Sequence, residues 1–91
     1  MKEYLPIGSI VLLNGSDRKL MITGYHVEVK EGIRPFDYRG CFYPDGLRFA
    51  DEKLVFNHEQ IKEVLYKGLE NDEQKEFLNK LNEAIKKEKG E

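Results

Sequence analysis

The sequence predicts a mainly β, α+β fold: a small SH3-like antiparallel β-barrel with a one-turn helix before its last strand, followed by a C-terminal amphipathic α-helix. Three observations predict it. Short apolar runs alternate with Asn-Gly, Pro and Gly turn signals along residues 4–69. The pattern Asn57-x-x-Gln60 reads as a helix cap placed just ahead of the last run. From residue 71 onward the apolar residues change period and fall on one helical face. At 91 residues the chain reads as one domain over 1–91, with residues 4–69 as barrel and residues 71–88 as helix.

Each element has its own local cause. Pro6 biases Leu5 toward extended backbone, and Ile10-Val11-Leu12-Leu13 is apolar on both faces, as in a strand curling into a barrel. Asn14-Gly15-Ser16-Asp17 is a turn, because Asn and Gly both accept positive φ. Lys19-Leu20-Met21-Ile22-Thr23-Gly24-Tyr25 returns as the second strand of a hairpin. It is expected to continue through Val27 and Val29, with Gly24 marking a bulge or bend. After a charged turn at residues 30–35, the third strand places Phe36, Tyr38 and Gly40 on one face and Asp37, Arg39 and Cys41 on the other. Tyr43-Pro44-Asp45-Gly46 suits a β-turn with Pro second and Gly fourth. Leu47-Arg48-Phe49 reads as a short fourth strand, residues 50–53 as a loop, and Leu54-Val55-Phe56 as extended chain. Ile61 is expected to point inward, and residues 63–68 to form the closing strand. Asn71-x-x-Gln74 caps the final helix, whose apolar face is Phe77, Leu78, Leu81, Ala84 and Ile85. Lys86, Lys87 and Lys89 suit its negative end, and Gly90 ends it.

Composition narrows the function. Fifteen Lys and Arg face seventeen Asp and Glu, for a net charge of −2, which argues against sequence-independent nucleic-acid binding. The single cysteine, Cys41, has no partner for an intramolecular disulfide and reads as a small hydrophobe in a strand. Neither a signal-peptide pattern nor an apolar run of membrane-spanning length is present, so a cytoplasmic protein without membrane contact is expected. His26 and His58 show no recognised metal-ligand spacing, and no catalytic constellation stands out. The expectation is therefore a non-enzyme with no cofactor and no metal.

The stretch Phe36-Asp37-Tyr38-Arg39-Gly40-Cys41-Phe42-Tyr43-Pro44-Asp45-Gly46 carries four aromatics. Phe36 and Phe42 are expected in the core. Tyr38 and Tyr43 can bury a ring while keeping a wet hydroxyl, and with Pro44 they are assigned to a recognition surface. On that assignment Tyr38→Ala costs binding more than stability, and Phe36→Ala costs about 3 to 5 kcal/mol of stability. The expected protein-binding residues are Tyr38, Tyr43, Pro44 and His58, with Phe77, Leu81 and Ile85 from the helix. A nucleic-acid-binding reading would instead need Arg18, Lys19, Arg34, Arg39 and Arg48 to cluster.

The chain resembles a family of short bacterial proteins without an assigned activity. The resemblance rests on Leu5-Pro6-Ile7-Gly8-Ser9-Ile10-Val11-Leu12-Leu13 and Lys19-Leu20-Met21-Ile22-Thr23-Gly24, then on residues 36–46, and on Phe56-Asn57-His58-Glu59-Gln60-Ile61 with Val64 and Gly68. It covers about residues 4–70, and most of the C-terminal helix lies beyond it. Such proteins are typically encoded beside type VII (ESX-like) secretion genes and their large toxins in low-GC Gram-positive bacteria. The resemblance implies an adaptor, chaperone-like or targeting role toward a secreted effector, acting on it or on its helical export domain. An immunity protein that neutralises the toxin is the alternative.

Overall fold

The computed structural model describes residues 3–49 and 54–88. Among these described residues, five strands and two helical segments follow one another: β1 (Ile10–Leu13), β2 (Lys19–Val27), β3 (Phe36–Phe42), β4 (Leu54–Phe56), a one-turn 3₁₀ helix (His58–Gln60), β5 (Ile61–Tyr66) and α1 (Asp72–Glu88). All strand pairs are antiparallel, in the order β4-β3-β2-β1-β5. The fold is α+β, a five-stranded antiparallel sheet with one C-terminal α-helix.

The sheet is not closed into the expected barrel, since β4 and β5 are its two edges. Chain length nevertheless makes it curl. β4 ends at Phe56 and β5 starts at Ile61, and five Cα steps reach at most roughly 18 Å. Four strand spacings laid flat would need about 19 Å, and a 3₁₀ turn rising only about 2 Å per residue shortens the reach further. The Asn14 N–H donates to the Gln60 carbonyl at 2.9 Å, tying the end of β1 to that turn. Among the described residues no ladder joins β4 to β5, and the connection between them is helical.

The inside of the curl holds the core: Tyr4, Val11, Leu20, Ile22, Tyr38 and Phe56, with Leu5, Tyr25, Phe42 and Ile61 packed partly buried around it. A bulge decides which side of β2 faces this core. β2 and β3 pair from Leu20↔Phe42 to Ile22↔Gly40, then slip so that Gly24 faces Arg39. Thr23 is the extra residue, and its hydroxyl donates to the Arg39 carbonyl at 3.2 Å. The slip shifts the side-chain alternation by one, so Tyr25 packs on the same core as Leu20 and Ile22. At Gly40 a Cβ would stand 2.7 Å from the Met21 carbonyl oxygen and 3.1 Å from the Phe56 ring, so this close crossing needs glycine.

Several expectations are corrected. Tyr38 is fully buried, at 0% exposure, whereas Phe36 is only half-buried. Period-two alternation assigns both to one face, but depth is set by position along the strand. Tyr38 lies at mid-strand opposite Phe56 and Tyr25, while Phe36 opens the strand. Leu47-Arg48-Phe49 forms no strand, and Leu47 and Phe49 are exposed. β2 stops at Val27, leaving Val29 exposed, and β5 begins at Ile61. The turn at residues 43–46 is one residue wider than a β-turn, closing from the Phe42 carbonyl to the Gly46 N–H at 2.8 Å. The loop expected at residues 50–53, and Lys89 and Gly90 at the helix end, lie outside the described residues.

The helix begins where its cap predicts. Asn71 Oδ1 accepts the Gln74 N–H at 2.8 Å. No residue of α1 is fully buried. Leu78, Leu81 and Ile85 pack against the core, Phe77 is 54% exposed, and Ala84, expected on the inner row, faces out. Among the described residues no helix is long and apolar enough to cross a membrane.

Candidate functional site

Two features compete for the role of site: a buried polar knot at Tyr38 and an open apolar groove beside α1. The knot starts from the Tyr38 ring, which lies edge-on to Tyr4 at 5.7 Å and tilted to Phe56 at 5.4 Å. Its hydroxyl accepts the Leu5 N–H at 3.0 Å and meets His58 Nδ1 at 2.7 Å. Asp37 beside it accepts the His58 N–H through Oδ2 at 2.8 Å, and the Asp37 N–H donates to Asn57 Oδ1 at 3.0 Å. The Asn57 N–H is in turn taken by Gln60 Oε1 at 2.7 Å. Tyr25 donates its hydroxyl to the Leu5 carbonyl at 2.5 Å. These bonds tie the N-terminal lead-in, β3 and the 3₁₀ turn together. The two grooves described below are not lined by Tyr38 or His58, and the bonds of the knot join segments of the fold to one another.

The joint has a pH signature. Burial pushes the Tyr38 phenol up to about 12, and burial also raises Tyr4 and Tyr25 above the ordinary tyrosine value. A raised tyrosine pKa means the fold favours the neutral phenol. That contribution is complete below about pH 10 and is lost as the pH climbs through the raised values. Urea unfolding followed from pH 9 to pH 12 is expected to show stability falling across the upper part of this range, with a shallower fall in Tyr38→Phe.

The groove, of about 690 Å³, runs between the N-terminal half of α1 and the bulged part of β2. Its apolar lining is Ile7, Tyr25, Leu69, Phe77 and Leu81. Ile7 is 49%, Leu69 74% and Phe77 54% exposed. The Phe77 ring lies 6.2 Å from that of Tyr25, so the aromatic cluster of the core continues out to the surface. A second, more polar groove lies along the other side of α1, with Tyr4, Leu5, Lys67, Lys75 and Leu78 in its walls. Gln74 borders both grooves, and its Oε1 is buried without a hydrogen-bond partner.

The seven residues singled out by sequence do not form one surface. Phe77 and Leu81 line the groove. Ile85 packs toward the core, Tyr38 lies inside it, and His58 is held against the Tyr38 hydroxyl. Burial therefore removes Tyr38 from any recognition surface and corrects its assignment to binding. Tyr43 and Pro44 are exposed, but at the far end of β3, beyond the Leu20↔Phe42 pair. Of the cations considered for nucleic acid, Arg18 is engaged by Asp45 at 3.2 Å and stacks over Phe42. Sequence reasoning missed Ile7, Tyr25 and Leu69. The Thr23–Gly24 bulge was the available signal for Tyr25, because a slip there turns the next side chain over.

No curated protein and no solved structure matches this chain. A family model matches residues 4–77, which takes in the whole sheet and ends in the second turn of α1. That match takes in every groove-lining residue except Leu81 and most of the chain, and the protein belongs to the family described as Domain of unknown function (DUF4176).

Proposed function

We propose that this protein is a non-enzymatic binding module, an adaptor or chaperone-like factor for a type VII secretion effector, and that the groove of Ile7, Tyr25, Leu69 and Phe77 is its docking surface. The observation that carries the reading is the exposure of three large apolar side chains around one concave, mostly apolar surface. A groove between a helix and a sheet suits the apolar face of a partner helix, with anchors at helical spacing. The secretion context comes from the resemblance of residues 4–70 to proteins encoded beside such systems. The curled sheet with a helical turn before β5 is read as an SH3-like scaffold, and binding is placed in the cytoplasm before export.

Phe77→Glu is the decisive variant. It introduces a charge into the groove wall while removing a ring that is more than half exposed. Co-purification with the helical export domain of the neighbouring toxin is expected to succeed for the wild type. It should weaken at least about tenfold in Phe77→Glu, a loss in the range of an interface hot spot. Retention by Phe77→Glu would move the interface off this groove. Capture of the toxin's active domain instead, with protection of cells, would favour an immunity role. Steeply salt-dependent binding to DNA or RNA would favour the nucleic-acid reading.

A further inference from the structure

His26, Glu28 and Glu88 meet at the far end of α1. His26 belongs to β2, Glu28 follows it, and Glu88 is the last helical residue, 62 positions beyond His26. His26 Nε2 lies 2.7 Å from Glu88 Oε2, and one ligand atom from each of the three residues falls within 4.8 Å of the others. Donors arranged tetrahedrally around an ion at about 2.0 to 2.2 Å stand roughly 3.3 Å apart. Small side-chain rotations would therefore bring all three onto one ion.

Charge points the same way. Glu28 and Glu88 bring two formal negative charges to one spot. Among the described residues, no lysine or arginine forms an ion pair with Glu28 or Glu88. Lys86 and Lys87 stand in the same last turn but do not pair with these carboxylates. Two carboxylates held this close repel each other. A divalent cation offsets both, at the end of a helix where the dipole already favours positive charge. Access is open: the Glu88 side chain is 55% exposed, while His26 is held at 21%.

We propose that His26, Glu28 and Glu88 form a binding site for a zinc-class divalent cation that staples the end of α1 to the end of β2. One imidazole with two carboxylates favours borderline transition metals over magnesium or calcium. Three protein donors leave a fourth position for water. Glu88 lies beyond the residues matched by the family model, so the staple uses a ligand supplied by the distal part of this chain's helix.

The test is calorimetric titration of zinc into the full chain after chelator treatment. One ion per chain is expected. His26→Asn and Glu88→Gln should each weaken binding at least about tenfold, since even changes to groups behind metal ligands cost that much. Asn tolerates the positive φ of 50° found at His26, so His26→Asn removes the ring without forcing the backbone, and circular dichroism verifies folding. Glu83→Gln, on the same helix, should bind like the wild type. Zinc should raise the melting temperature of the wild type and not that of Glu88→Gln. Absence of saturable binding, affinity unchanged in both ligand variants, or magnesium binding as tightly as zinc would each overturn the assignment.

Discussion

Tyr38→Ala is expected to destabilise the protein by about 3 to 5 kcal/mol, the usual cost of truncating a buried aromatic. Domains of this size hold on the order of 5 to 10 kcal/mol in total, so the variant should be largely unfolded at modest urea concentrations. The cause is twofold. The ring touches Tyr4, Tyr25, Phe56 and His58, so its loss opens a void where the lead-in, two strands and the 3₁₀ turn meet. The hydroxyl is also the partner of the Leu5 N–H and of His58 Nδ1. Tyr38→Phe separates these effects. It keeps the ring and leaves two polar groups without a partner, which should cost about 1 to 3 kcal/mol. Phe36→Ala, at a half-buried position opening β3, should cost less than Tyr38→Ala. Urea unfolding of the three variants checks the ranking. If Phe36→Ala proves the more damaging, the placement of Tyr38 at the centre of the core is wrong.

That ranking shows what the sequence could and could not convey. Asn14-Gly15 announced its turn because only a few residues accept positive φ. Gly15 has a φ of 77°, and the Ser16 N–H bonds back to the Leu13 carbonyl at 3.1 Å. Asn57 and Asn71 announced helical segments for an equally local reason, the supply of acceptors or donors to an unpaired first turn. Depth is a different kind of quantity. Alternation in β3 tells that Phe36 and Tyr38 share a face, but how far each lies from solvent depends on what crosses it, and Tyr4 arrives from thirty-four residues away. The groove is further from the sequence still. It exists because α1 touches the sheet through Leu78, Leu81 and Ile85 and leaves Phe77 to one side, a consequence of how the helix lies and not of its apolar period. The approach of Glu88 to His26 was hidden in the same way, by a separation that no motif spans.

Gly68→Ala is the second large effect, about 3 kcal/mol or somewhat more, the upper end for forcing atoms into a filled space. A Cβ built at Gly68 falls 2.2 Å from the Ile7 carbonyl oxygen, 3.0 Å from its carbon and 3.1 Å from the Ser9 nitrogen. All three are backbone atoms, and they belong to a turn that has little room to yield. The Ser9 N–H bonds to the Pro6 carbonyl, the Gly8 N–H to the Ile22 carbonyl, and the Ile22 N–H to the Ser9 carbonyl. Gly68 itself donates to the fully buried Ser9 Oγ at 3.0 Å. Ser9→Ala should cost about 1 to 3 kcal/mol by removing that acceptor. It should not rescue Gly68→Ala, because the clash is with main chain and not with the serine hydroxyl. The crossing also fixes the mouth of the groove, since Ile7 is the residue struck and Leu69 is the next along the chain. Gly68→Ala should therefore lose stability and partner binding together, whereas Phe77→Glu should lose binding alone. Measuring unfolding and partner capture on both variants distinguishes a groove that binds from one that merely borders a tight joint. If Gly68→Ala melts like the wild type, Ile7 is free to move away, and the groove cannot be the rigid surface that helix docking requires.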